Sequence, residues 1–160
     1  MLGLRHYLGT AIDLFQGDIT EFVCDAMGID ASLADNIEKK IAAAWQGRAP
    51  SPQPQLLHMN PPLWQGGGHN EATDLLAIYR QSFNQAAELK FLHLALAPIA
   101  SDAAAFPLHQ AAAMAMTASK EFCQQHRGKL RRISFVLAQT EVYQAYQTAL
   151  YASFPESEGN

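Results

Sequence analysis

Apolar positions along this chain change period several times, and the changes divide it into alternating strands and helices. Residues 10–15 and 22–28 are short apolar runs that read as buried strands. Leu33, Ile37, Ile41 and Trp45 then recur every fourth position, placing one apolar stripe on a helix over 33–45. Ser32 stands where a helix N-cap belongs and Gly47 where a helix ends. Residues 48–55, Arg-Ala-Pro-Ser-Pro-Gln-Pro-Gln, cannot continue a helix and form a Pro-rich linker. A brief strand follows over 56–59, then a turn at Gly66-Gly67-Gly68.

Leu75, Leu76, Tyr79, Phe83 and Ala86-Ala87 give a second helix over 71–88 its inward face. Residues 91–97 are nearly all apolar, as a central parallel strand requires. A loop of small residues over 98–107 leads into a third helix over 108–125, a strand over 133–138 and a last helix over 141–154. Strands alternating with amphipathic helices predict an α/β fold: a three-layer α/β/α sandwich around a mainly parallel mixed sheet. The pattern contains no internal repeat and no domain boundary. It predicts one domain over residues 1–160, with a polar, frayed tail after about residue 154.

Composition narrows the function classes. At 160 residues, with 49% hydrophobic and 16% charged residues, the chain is globular. A formal net charge of −4 argues against broad nucleic-acid binding, which needs a field of Lys and Arg. No apolar run has the length of a membrane span, and the N-terminus has no signal-peptide pattern, so no membrane partner and a cytoplasmic location are expected. Cys24 and Cys123 sit in apolar contexts without Cys-x-x-Cys spacing and read as reduced core thiols.

The six histidines lack metal-ligand spacing, so no metal and no cofactor are expected. His58 should end a strand and His93 should sit in one with a satisfied ring nitrogen. His69 and Asn70 fall in the glycine turn. Ser101 has no Gly-x-Ser-x-Gly elbow around it and reads as a loop hydroxyl. The basic run from His126 to Arg132 follows a helix C-terminus, where the helix dipole favours cations.

The segment with the most chemistry is Gln16-Gly17-Asp18-Ile19-Thr20. An apolar strand delivers an acidic residue to a glycine-softened strand end, which is where α/β proteins bind ligands. Taken alone, Asp18 equally suits a turn or a helix cap. Three later segments occur with it in a fixed order: Leu56-Leu57-His58 with Pro62-Leu63-Trp64; Gly66-Gly67-Gly68-His69-Asn70-Glu71 opening a helix; and Ala97-Pro98-Ile99 through Phe106-Pro107-Leu108. Together the four resemble the macro domain, an ADP-ribose-binding module, over about residues 12–150.

The resemblance implies that Asp18 accepts a hydrogen bond from an adenine amino group and that the Ile19 backbone contacts the purine. A carboxylate is a good acceptor for an exocyclic amine and has no competing donor. The ligand-binding positions implied are Asp18, Ile19, Asp30, Ser32, Ala34, Ala100, Ser101, Asp102, Ala103, Ala104 and Phe106.

Two of the resembling loops depart from the family pattern. Where members resemble Asn-Ala-Ala-Asn followed by glycines, this chain has Ile29-Asp30-Ala31-Ser32 and runs directly into Leu33-Ala34-Asp35. The glycines that would let amides approach a diphosphate are absent. Ala34 falls where the hydrolytic members resemble one another in carrying an aspartate; Asp35, one place off, suits the first turn of a helix.

The second loop reads Ala100-Ser101-Asp102-Ala103-Ala104-Ala105-Phe106 in place of a serine-threonine-glycine-x-aromatic-glycine nest. Asp102 brings a negative charge to a phosphate-binding position. Two unit charges about 4 Å apart in a partly shielded site repel by about 4 kcal/mol.

These departures predict a degenerate pocket, with weak or altered binding of ADP-ribose or an adenine nucleotide and no catalytic residue. The alternatives are an oligomeric scaffold acting through protein contacts and, last, an ADP-ribosyl hydrolase or deacetylase. The short span between Trp45 and Leu56 leaves a sheet border open, which points to a homodimer.

Overall fold

The computed structural model describes residues 3–46, 54–60, 64–98 and 107–155. A single six-stranded sheet runs through them: β1 (Leu4–Tyr7), β2 (Thr10–Gln16), β3 (Ala26–Asp30), β4 (Gln55–Met59), β5 (His93–Leu96) and β6 (Arg132–Leu137). The helices are α1 (Ala34–Trp45), α2 (Glu71–Glu88), α3 (Leu108–Gln125) and α4 (Thr140–Ser153). Strand order is β1-β2-β6-β5-β3-β4, parallel throughout except for the β1–β2 hairpin.

The period-2 alternation of the strands sorts side chains to two faces. Ile12, Leu14, Leu94, Leu96, Ile133 and Phe135 join the larger core with residues of α2, α3 and α4. Met27, Ile29, Ala95 and Val136 join a smaller one on the opposite face with Ile41 and Trp45 of α1. The sheet is thus sandwiched by three helices on one side and one on the other, the α/β/α architecture expected. Burying each large aliphatic side chain contributes roughly 1.5–3 kcal/mol. Gly28 lies where β3 packs closely against its surroundings: a Cβ there would lie 2.3 Å from Leu96 Cδ2 of β5 and 3.3 Å from Ser82 Oγ of α2, so side chains would have to shift.

Several elements differ from the expectation. β1, a short strand of mixed polar and apolar residues without periodicity, is not among the expected elements; it reverses direction through Leu8 and Gly9, both with positive φ (48° and 89°). The strand expected over 22–28 begins only at Ala26, because Phe22 to Asp25 serve as the connection after a 3-10 turn. Ser32 does not cap α1. The N-cap position falls on Leu33 with no side-chain bond, and Ser32 is used in a turn described below. Of the Pro-rich linker expected over 48–55, residues 48–53 lie outside the described residues, as do residue 47 and those after Pro155, while Gln55 already belongs to β4. Among the described residues β4 is the last strand of the sheet on its side.

One polar cluster on the α1 face of the sheet centres on the buried Asp13 and Ser134. Asp13 is only 4% exposed, and its carboxylate accepts from Ser134 Oγ at 2.5 Å and from Arg132 Nε at 2.8 Å, with a second guanidinium contact. Ser134 Oγ also lies 2.8 Å from His93 Nε2, so one ring nitrogen has a partner, as expected. Burial, and after it the Arg132 charge, lower the His93 pKa from its ordinary value and favour the neutral ring. Phe22 packs edge-on to His93 with ring centres 5.6 Å apart.

Candidate functional site

Parallel strands release their chains at one end of the sheet, and there a cavity of 370 Å³ opens. Gly17, Asp18 and Ile19 enter it from the end of β2, Ala97 and Pro98 from β5, and Val136, Ala138 and Gln139 from β6. Val142 of α4 and Leu33 and Lys40, before and on α1, complete the described wall. The volume lies in the range that takes a small organic ligand.

Asp18 is held by local chemistry. Its backbone is extended (φ −98°, ψ 118°), and its Oδ1 accepts both the N–H of Thr20 at 2.9 Å and the Thr20 hydroxyl at 2.7 Å. This opens a single 3-10 turn, Ile19–Glu21. The capping role weighed for Asp18 is therefore realised. Both bonds use Oδ1, and among the described residues Oδ2 receives none. The Thr20 hydroxyl, its amide and the Lys40 charge hold the Asp18 pKa below its ordinary value against the opposing effect of burial, so the group is a carboxylate at neutral pH.

Behind it, Ile19 and Thr20 are buried, and Thr20 O accepts from the Trp45 indole N–H at 3.2 Å. The turn is thereby fixed to α1.

Asp30 repeats the device. Its Oδ1 accepts Ser32 N–H at 2.9 Å and the Ser32 hydroxyl at 2.7 Å, opening the 3-10 turn Ala31–Leu33 that leads into α1. Two Asp-x-Thr/Ser triplets, 18–20 and 30–32, thus terminate two strands by the same hydrogen bonding. Of the positions implied by resemblance, the structure brings Asp18 and Ile19 into the cavity wall. Asp30, Ser32 and Ala34 are not part of that wall among the described residues: the first two form the turn, and Ala34 is buried against the α1-side core. Ala100, Ser101, Asp102, Ala103, Ala104 and Phe106 lie outside the described residues.

Sequence reasoning missed Leu33, Lys40, Val136, Ala138, Gln139 and Val142. Helical spacing relates two of them, but does not by itself mark either as a ligand position. Leu33 and Lys40 are seven positions apart, close to two helical turns, so they point to nearly the same side. Leu33 remains 43% exposed beside the cavity.

The glycine turn before α2 has a distinct organisation. Glu71, 2% exposed, accepts the N–H groups of Gln65 (2.7 Å), Gly67 (2.9 Å) and His69 (2.7 Å). Burial opposes its ionisation, yet these amides outweigh that effect and hold the pKa at about 2. Gly66 and Gly67 take positive φ (88° and 94°), and a Cβ on Gly67 would sit 3.1 Å from the Trp64 ring. His69 and Asn70 belong to this turn and do not border the cavity.

His58 is exposed in β4, with Nε2 3.7 Å from Glu38. Cys24 and Cys123 are free thiols, and burial pushes Cys24 up to about 12, consistent with inert core sulfur. Among the described residues, no group of three or more acidic, His or Cys side chains could hold a metal. Likewise, no described helix is long and apolar enough to cross a membrane.

Comparison with known proteins meets this geometry. The model of the macro domain family matches residues 33–115. A macro domain-containing protein of Xanthomonas axonopodis pv. citri is 26% identical over 87% of this chain and 94% of its own length. A Citrobacter rodentium protein named O-acetyl-ADP-ribose deacetylase is also 26% identical, over 89% of this chain and 97% of its own length. Among solved structures, a mutant macrodomain of Oceanobacillus iheyensis with ADPR superposes with a TM-score of 0.73 at 17% identity, covering 92% of this chain and 96% of that one. The family model spans more than half of the chain and the fold agrees: this protein belongs to the macro domain family.

Proposed function

We propose that this protein is a non-catalytic macro domain that binds an adenine-type nucleotide through Asp18 and Ile19, with ADP-ribose binding weakened or redirected. The observation that carries the reading is the Oδ2 of Asp18, which receives no hydrogen bond among the described residues, at the wall of a ligand-sized cavity at the strand ends. Oδ2 is an acceptor without a competing donor, suited to an exocyclic amine. Support from relatives comes from the Oceanobacillus iheyensis macrodomain solved with ADPR.

The sequence of the second loop, with Asp102 in place of a glycine, disfavours the distal phosphate of ADP-ribose. Absence of catalysis is supported by Asp35, which stands exposed in the first turn of α1 and does not border the cavity. A general base must first reach the proton it removes.

Calorimetric titration with adenosine, AMP and ADP-ribose tests the reading. Binding of adenosine and AMP, with ADP-ribose weaker, is expected. Micromolar ADP-ribose binding lost in Asp18→Ala would overturn the view of the loops, and turnover of an ADP-ribosylated substrate would overturn the non-catalytic assignment.

A second reading, an oligomeric scaffold, is favoured by β4. It is a sheet-edge strand whose outer side has no partner among the described residues, and such edges invite pairing with another chain. A stable dimer in solution with no heat from any nucleotide would support it over the first.

A further inference from the structure

We propose that Lys40 is the anion-recognising residue of this cavity, so that the pocket selects a purine nucleoside phosphate over the uncharged nucleoside. The inference rests on the nucleotide reading above and adds the charge of the ligand to it.

Among the described wall residues, Asp18 and Lys40 are the charged side chains, and they enter from different elements. Asp18 comes from the end of β2 and Lys40 from the middle of α1. The two are close enough for the Lys40 charge to favour the carboxylate form of Asp18. They make no ion pair within 4.0 Å among the described residues, whereas Arg80–Glu121 and Arg132–Asp13 do. Lys40 is therefore a cation beside the cavity whose donors are not used by an ion pair among the described residues.

Placement follows from the helix. Ile37, Ile41 and Trp45 carry the inward stripe of α1. Lys40 sits at the border of that stripe, seven positions after Leu33, and the two border the same cavity. An ammonium at the rim offers three donors on a flexible stem, which suits a phosphate as a point charge.

The loops by which the resembling proteins would bind phosphate through backbone amides have lost their glycines here. A side-chain cation replaces that kind of recognition with one that needs no close backbone approach. A purine on Asp18 and Ile19 with its phosphate towards Lys40 uses both charged groups with matched polarity. Such binding is screened by salt, because Lys40 is solvent-exposed.

The experiment is calorimetry of the wild-type chain and Lys40→Met with adenosine and AMP, at low and high ionic strength. For the wild type, AMP should bind about tenfold more tightly than adenosine at low salt, the advantage shrinking as salt rises. In Lys40→Met the AMP advantage over adenosine should be lost, and Lys40→Arg should restore it. Adenosine binding with an AMP-to-adenosine ratio unaltered by Lys40→Met overturns the role of Lys40 and leaves the nucleotide reading standing. If the wild type binds neither ligand, both fail. Because Lys40 is exposed, matching thermal melts will show that the variant is folded.

Discussion

Trp45 donates its indole N–H to the carbonyl of Thr20 at 3.2 Å, and Thr20 in turn donates its amide and hydroxyl to a single oxygen of Asp18. A residue at the far end of α1 thus fixes the orientation of the carboxylate at the mouth of the cavity. Because one carboxylate oxygen is consumed internally, the other is oriented by the fold and needs no ligand to order it.

The first prediction concerns this chain of bonds. Trp45→Phe keeps most of the buried ring volume but strands the Thr20 carbonyl. Leaving a buried acceptor without its donor costs about 1–3 kcal/mol. Urea unfolding should show that loss with an unchanged m-value, and adenosine affinity should fall as the 3-10 turn loosens. Unchanged affinity in a destabilised variant would separate Trp45 from the site.

The Asp13–Arg132–Ser134–His93 cluster gives a pH signature. The His93 pKa is lowered in the folded chain, so the unfolded state binds the additional proton first. Stability contributed by neutral His93 is fully present above the ordinary histidine value of 6.5 and is lost as pH falls from there through the lowered folded value. Urea midpoints measured across that window should drop, and His93→Gln should flatten the drop. Ser134→Ala removes a donor to Asp13 and should cost about 1–3 kcal/mol at neutral pH.

Glu71 acts in a lower pH window. Its folded pKa of about 2 lies under the ordinary 4.5, so its contribution is present above 4.5 and lost as pH falls through 2. Glu71→Gln should remove that acid-dependent loss while lowering stability at neutral pH. Amide exchange at Gln65, Gly67 and His69 should accelerate, since these are the amides the carboxylate holds.

Much of the fold is legible in the sequence because the four helices carry a 3.6-residue stripe and the buried strands are apolar. The helix expected over 71–88 is α2 to the residue, since Asn70 in the left-handed region (φ 60°) and Glu71 mark its start. β1 was missed because Leu-Arg-His-Tyr has no apolar periodicity; its pairing with β2 is set by tertiary structure.

The strand over 22–28 was started too early because Phe22, Val23 and Cys24 are apolar. Those side chains serve a connection, with Val23 65% exposed. At the site, Asp18 was readable from the glycine-softened strand end. Lys40 was not, because a lysine on a helix is ordinarily a solvated surface residue and only the closure of β2, β5 and β6 around it makes a cavity wall. The second Asp-x-Ser triplet was visible, but resemblance pointed to ligand contact at Asp30, while the local hydrogen bonds use it to turn the chain.

Gly28→Ala tests the close packing around β3. The added methyl would overlap Leu96 and press on Met59 Sδ at 3.0 Å and on Ser82. Overpacking of this kind costs roughly 1–3 kcal/mol. A thermal melt should show the loss, with nucleotide affinity intact because Gly28 does not border the cavity.

The central claim is that Asp18 Oδ2 accepts a hydrogen bond from an adenine amino group, and calorimetry of adenosine against inosine tests it most directly. Inosine presents a carbonyl where adenosine presents an amine. In Asp18→Asn, Oδ1 can still accept from Thr20 while an NH2 replaces Oδ2, reversing the polarity offered to the ligand. The wild type should prefer adenosine by roughly tenfold or more, and Asp18→Asn should prefer inosine. Equal affinity of the wild type for both nucleosides, unaltered by Asp18→Asn, would contradict the account.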